Sequence, residues 1–249
     1  MEWIKDAPDT CTLVFYVAEK FDRKKKLSAA LMKMPGNVEF DYLKGAALAK
    51  WCNQYLHALN KRISNEAMNE FIMIASKDLA RISGELSKLA AYTGNAPEIS
   101  AADVRAVVTP SPEYSVFKIL DHLLMGEMKE ATEVVNGLAR TDSDIWDLIR
   151  LLEGQLRINA HAKSVIEANG NVAELFNSLG VDERRAYHVQ RQIRPIAADA
   201  LRERYLHCVE ADYAIKSGQM RARAALDMLL LKIVMPPSAT KPGRYSSNR

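Results

Sequence analysis

Three cysteines in 249 residues, Cys11, Cys52 and Cys208, are too few and too far apart for a disulfide framework or a thiolate metal site, and a reducing compartment follows. The chain also lacks any G-x-x-x-x-G-K-[ST] or G-x-G-x-x-G stretch, which excludes a recognisable phosphate-cradling loop and, with it, nucleotide hydrolysis. Charge of one sign is missing too: 34 basic against 31 acidic residues leave a net +3, so any nucleic-acid contact would have to be local. No run of 18 apolar residues, signal peptide or lipidation motif occurs, and a cytoplasmic protein without membrane contact is expected. The five histidines, His57, His122, His161, His188 and His207, form no H-x-x-x-H or H-E-x-x-H, and there is no G-x-S-x-G elbow. Catalytic, metal and cofactor residues are therefore expected to be none.

What is present is a folded, helix-rich pattern. Nearly half of the residues (48%) are hydrophobic and 26% are charged, which suffices for one or two sizeable cores. Only the first 40 residues read differently. Thr12 to Ala18 is a short β-rich run, Val38 to Phe40 a candidate second strand, and the basic run Arg23 to Lys26 leads into a helical stretch closed by Pro35-Gly36. This looks like the cut end of an α/β domain, because one or two strands and a helix cannot cover a sheet.

From Leu43 onward the spacing is helical. A first helix over about 43–59 precedes one started by Ser64, another capped by Ser76 with an apolar stripe Leu79, Ile82, Leu86, Leu89 and Ala90, and a short one opened by the Ser100/Asp103 capping box. Thr109-Pro-Ser-Pro112 is the clearest boundary, with Ser111 as a cap and Pro112 at the first helical position. Beyond it, helices are predicted over about 112–125, 127–140, 143–168, 172–179, 182–194, 195–217 and 219–234, separated by Gly126, Gly170, Gly180 and Gly218. Leu226 to Val234 is apolar nearly all round, so it belongs inside a bundle or against another subunit. The tail from residue 235 has nothing to bury and is expected to be disordered.

One helix carries a puzzle. Leu201, Tyr205, Cys208, Val209 and Ile215 share a face on the helical wheel, with Arg204 on the opposite side, yet Asp212 and Lys216 also fall on the apolar face. Their i,i+4 spacing, acid first, favours a pair within the helix, and charges on an apolar stripe need such a partner or one from a neighbouring subunit. Two basic features are ordinarily solvated faces: the run Lys24, Lys25 and Lys26, and the stripe Arg184, His188 and Arg191.

The order of these parts carries a resemblance. A strand followed by K-F-D-R-K-K-K-L, then W-C-N-Q-Y, D-L-A-R-I-S-G-E-L-S-K-L-A-A-Y, V-F-K-I-L-D, E-G-Q-L-R-I and E-A-D-Y-A-I-K-S-G with L-L-L after it resembles the delta subunit family of the bacterial DNA polymerase III clamp loader. The resemblance runs from about residue 10 to 234 and is most specific at Glu85 to Leu89, Gln155 to Arg157 and Asp212 to Gly218. It implies a mainly α chain: residues 1–41 as the end of an AAA+-like α/β domain that does not use ATP, 42–108 as a helical lid, 112–234 as a helical collar, and 235–249 as the tail.

It further implies a non-catalytic subunit of the polymerase holoenzyme that assembles with gamma/tau and delta-prime. The beta sliding clamp would be engaged through an N-terminal domain mostly absent from this chain, and primed DNA as part of the complex. Gln155, Arg157, Asp212, Tyr213 and Lys216 are the implied structural or subunit-interface residues, and Lys24, Lys25 and Lys26 a possible DNA contact. A helical adaptor or regulatory protein binding an unrelated partner is the competing reading.

Overall fold

The computed structural model describes residues 10–17, 24–76, 78–179, 181 and 183–235, with main chain alone at 183 and 184. The chain divides into two units, 1–41 and 42–249. The expected tail after Met235, the expected break at Gly180 and the side chain of Arg184 lie outside the described residues.

In the first unit, α1 spans Lys26–Leu31, and Asn37 closes its C-terminal end by donating from Nδ2 to the carbonyls of Leu31 (2.8 Å) and Met34 (2.6 Å). The two expected strands are a correction. Residues 11–17 and 38–40 are irregular and exposed, with Val14 at 80%, Tyr16 at 86% and Phe40 at 92% accessibility. β-favouring side chains make a strand only where a neighbour takes up the main-chain N–H and C=O groups, and among the described residues of this unit none does.

The second unit holds two apolar cores. The N-terminal one is built by α2 (Gly45–Ala58), α3 (Asn65–Ile74), α4 (Leu79–Tyr92) and α5 (Ala101–Val107), closing on Cys52, Leu56, Phe71, Ile82, Leu86, Leu89 and Val104. Ser64 caps α3 by accepting from Ala67 N, and the Ser100/Asp103 box forms at α5 as its sequence predicts. Ser76 does not cap α4. Asp78 does, accepting from Ala80 N at 2.9 Å, because it stands directly before the first helical residue; Ser76 Oγ instead accepts from Asp78 N at 3.3 Å. A feature with no periodicity to betray it is the two-residue parallel pairing of β1 (Arg62–Ile63) with β2 (Glu98–Ile99), which ties the start of α3 to that of α5.

The C-terminal core is organised on one long helix. α8 (Asp142–Glu167) is started by a Thr141/Asp144 capping box and packs against α6 (Pro112–Met125), α9 (Val172–Ser178), α10 (Glu183–Ile193), α11 (Ala198–Lys216) and α12 (Ala222–Val234), while α7 (Met128–Leu138) folds back on α6. Its centre is Ile119, Leu120, Leu152, Leu156, Phe176, Leu201 and Leu226, each at most 1% accessible. Gly126 takes φ +84° to end α6. Gly170 serves differently: Asn169 takes the left-handed conformation (φ 54°), and a Cβ on Gly170 would lie 3.0 Å from Val165 Cγ1. All the extensive helix–helix packings fall within one core or the other, never between them.

Candidate functional site

α11 carries apolar side chains on both of its faces. Ala200, Leu201, Arg204, Cys208 and Ala211 are buried, whereas Leu206 (47%), Val209 (40%) and Tyr213 (63%) recur at i, i+3 and i+7 on the outer side. The wheel placed Val209 inside and Arg204 outside, and both are corrected here. α12 is split in the same way: Ala222, Ala225, Leu226, Leu229, Leu230 and Ile233 face the core, while Met228 and Leu231, each 46% accessible, face out. An ion pair between Lys232 Nζ and Glu210 Oε2 (2.9 Å) joins the two helices. The Lys232 ammonium, helped by His207 at 3.1 Å, holds the Glu210 carboxyl below its usual range. Two adjacent helices thus present solvent-facing apolar stripes, crossed by one fixed ion pair.

Arg204 explains itself by chemistry that spacing alone could not reveal. Its guanidinium donates from Nε to Ile233 O (2.8 Å) and from Nη2 to Met235 O (3.4 Å), carbonyls at the C-terminal end of α12, and from Nη1 to Ala200 O (3.0 Å) one turn back on α11 itself. Burial pushes its pKa down from the ordinary arginine value. The signal in sequence was only a long cationic side chain nearly two turns from the start of α11.

Of the residues singled out from sequence, Asp212 and Lys216 do pair, at 2.6 Å within α11, and Lys216 Nζ also stands 5.5 Å over the ring of Trp146. The pair is on the surface rather than on the buried stripe, with side chains 34% and 57% accessible, so no desolvation penalty compels it. Tyr213 is beside it and exposed. Gln155 is elsewhere and buried. It accepts from Arg185 Nη2 (3.1 Å) and donates to Asn159 Oδ1 (2.8 Å), whose own amide donates to Gln192 Oε1 (3.2 Å), stitching α8 to α10. Arg157 lies on the exposed side of α8, and Lys24, Lys25 and Lys26 are exposed at the start of α1 in the first unit.

A cleft of about 80 Å³ opens between the two bundles, lined by Leu48, Ile72 and Met73 on one side and Tyr114, Phe117 and His188 on the other. Desolvation, with Glu70 and Asp121 nearby, raises the Tyr114 phenol above its ordinary pKa. Among the described residues no helix is long and apolar enough to cross a membrane, and no group of three metal-ligating side chains converges.

Residues 113–233, nearly the whole span from α6 to α12, match the family model described as the DNA polymerase III delta subunit, C-terminal domain. This chain is similar to DNA polymerase III delta subunits. The delta likeness extends beyond that span: the DNA polymerase III subunit delta of Bacillus subtilis (strain 168) is 23% identical over 228 residues, which are 92% of this chain and 66% of that protein. Among solved structures, the Bacillus subtilis DNA clamp loader delta protein superimposes with a TM-score of 0.65 at 23% identity, over 87% of this chain and 64% of that one. The chain therefore spans just under two thirds of the length of the delta proteins it matches, and its mainly α fold superimposes on the solved one over that share.

Proposed function

We propose that this chain is a non-catalytic, delta-type part of a bacterial DNA polymerase III clamp loader, and that its C-terminal bundle is the collar through which it joins gamma/tau and delta-prime. The observation that carries this reading is the outer surface of α11 and α12. Leu206, Val209, Tyr213, Met228 and Leu231 are each 40% or more accessible on the outer sides of two neighbouring helices, and grouped exposed apolar side chains mark interaction surfaces. The matched span of the delta C-terminal domain covers both helices, which supports a related helical subunit as the occupant. Residues 42–108 are the lid, and 1–41 the end of the AAA+-like domain.

The mechanism is mechanical. Nucleotide bound by partner subunits repositions domains hung on the collar, and the beta clamp is opened through the rest of the N-terminal domain. Tyr213, with the Asp212–Lys216 pair beside it, marks the rim of the contact, Gln155 holds the bundle that presents it, and Arg157 lies on the neighbouring α8 surface. Primed DNA is the substrate of the assembly, with Lys24, Lys25 and Lys26 as this chain's candidates for a phosphate contact.

Size-exclusion chromatography with light scattering tests the assignment, using this chain mixed with gamma/tau and delta-prime of the same organism. Co-elution of all three is expected, and Leu206→Glu or Leu231→Glu should abolish it while leaving the melting temperature of the isolated chain within about 2 °C, as suits an exposed position. If the wild-type chain elutes alone while the partners are folded and competent to pair, the collar assignment fails.

A further inference from the structure

The two bundles of the second unit are joined by a linker and have separate buried cores. Tyr114 is the C-terminal-bundle residue that packs onto the N-terminal core. The linker Thr109-Pro110-Ser111 is then pinned at two points. Ser111 N donates to the carbonyl of Ile74 at 2.8 Å, one of the acceptors left over at the end of α3. On the other side, Glu85 of α4 accepts from Thr109 N at 3.0 Å through Oε2, and the same oxygen pairs with Lys88 Nζ at 2.6 Å. Lys88 in turn donates to Thr109 Oγ1 at 3.1 Å, closing a three-residue ring of contacts.

We propose that Glu85, with Lys88, is a latch that sets the angle between the two bundles, and that the Ser111–Ile74 hydrogen bond is the pivot about which they swing when the latch opens. The assignment rests on three features of the place. The pivot is main chain to main chain, so it survives rotation of the side chains around it. The latch mixes a mostly covered acceptor with an exposed donor, Glu85 at 17% and Lys88 at 47% side-chain accessibility, so the Lys88 contacts can be exchanged for water at little cost, which is the property a reversible contact needs. The cleft beside Ser111, walled by Leu48 and Ile72 on one bundle and by Tyr114, Phe117 and His188 on the other, supplies room for the movement, since a close-packed interface would not yield. Pro110 and Pro112 keep the linker stiff, so an angular change at the pivot is transmitted instead of being absorbed.

Distance measurement between spin labels tests this on the isolated chain, independently of whether it joins a clamp loader. Labels at Lys50→Cys in α2 and Lys129→Cys in α7, both exposed positions, report the angle in a Cys11→Ser background; Cys52 and Cys208 are buried and stay unlabelled. The unsubstituted latch should give one narrow distance distribution. Glu85→Ala should give one roughly twofold broader, or two populations, with Glu85→Gln in between because an amide oxygen still accepts from Thr109 N. Lys88→Met, which removes an exposed side chain and cannot unfold the α4 core, should broaden it as well. If Glu85→Ala and Lys88→Met both retain full helical signal and the narrow distribution, the latch is overturned. If Glu85→Ala loses helical signal, the Lys88→Met distribution alone decides.

Discussion

The guanidinium of Arg204 on α11 donates to the main-chain carbonyl of Ile233 on α12, 2.8 Å away, in a site with 8% accessibility. A cation there meets the negative end of the α12 dipole as well as its unpaired carbonyls, so the interaction is both directional and electrostatic.

Replacing Arg204 by alanine removes the guanidinium donors from the Ile233 and Met235 carbonyls. Hydrogen bonds to charged groups contribute about 1.5–3 kcal/mol each, so the net loss should be about 2–3 kcal/mol after the desolvation of the charge is set against them. For a chain of this size that corresponds to a fall of roughly 5–10 °C in melting temperature, read by circular dichroism. Glu203→Ala, one position away and only partly buried, should change it far less.

Asp212 and Lys216 should show the opposite behaviour. An exposed i,i+4 pair is worth about 0.2–0.5 kcal/mol, and Asp212→Ala should cost no more than that. Lys216→Ala should cost somewhat more, about 1 kcal/mol, since it also strips the ammonium from the Trp146 face. Urea titrations of both variants check the order; a loss above about 2 kcal/mol for Asp212→Ala would contradict a surface location.

Acid should weaken the start of α8. Asp144 accepts from the main-chain N–H groups of Thr141 (2.8 Å) and Arg140 (3.1 Å), and these bonds hold its carboxyl below the ordinary range. A depressed folded value means that the stabilisation is complete above the unfolded pKa, near about 4, and is lost as pH falls through the folded value. The Asp103 carboxyl, bonded by Ser100, and Glu210 act in the same direction. The melting temperature of Asp144→Asn should therefore lie below that of the wild type at pH 7, and the gap should narrow as pH falls below the ordinary carboxylate range.

Thiol chemistry should distinguish one cysteine from two. Burial pushes Cys52 up to about 11 and, with Glu153 nearby, Cys208 up to about 12, while Cys11 is exposed. The thiolate is the nucleophile, so a disulfide reagent at pH 8 should titrate Cys11 alone in the native chain and all three thiols in denaturant. Rapid reaction of a second native thiol would show that a core opens readily.

Where side-chain period and terminal chemistry agree, the sequence was sufficient. The Ser64, Ser100 and Ser111 caps, the break at Gly126 and the α6–α12 series all follow from that agreement. It was insufficient where one signal stood for two physical situations. An apolar residue such as Val209 reads the same whether it faces a core or an outer contact surface, and α11 carries both kinds. Arg204 is polar on a wheel but buried in space, because its partners are carbonyls of a helix that begins 18 residues later. The run from Thr12 has strand-forming side chains but no neighbouring strand among the described residues, and composition cannot supply one. The Glu85 contacts with Thr109 join residues 24 apart, a relation no periodicity encodes.

The separation of the two cores also bears on how the chain comes into being. Every buried residue of the N-terminal core lies between Leu48 and Val108, including the β1–β2 pairing that closes it. A nascent chain could thus complete that bundle while α6 is still in the ribosomal tunnel, and α11 and α12, made after α8, would find it already waiting as the surface on which to fold.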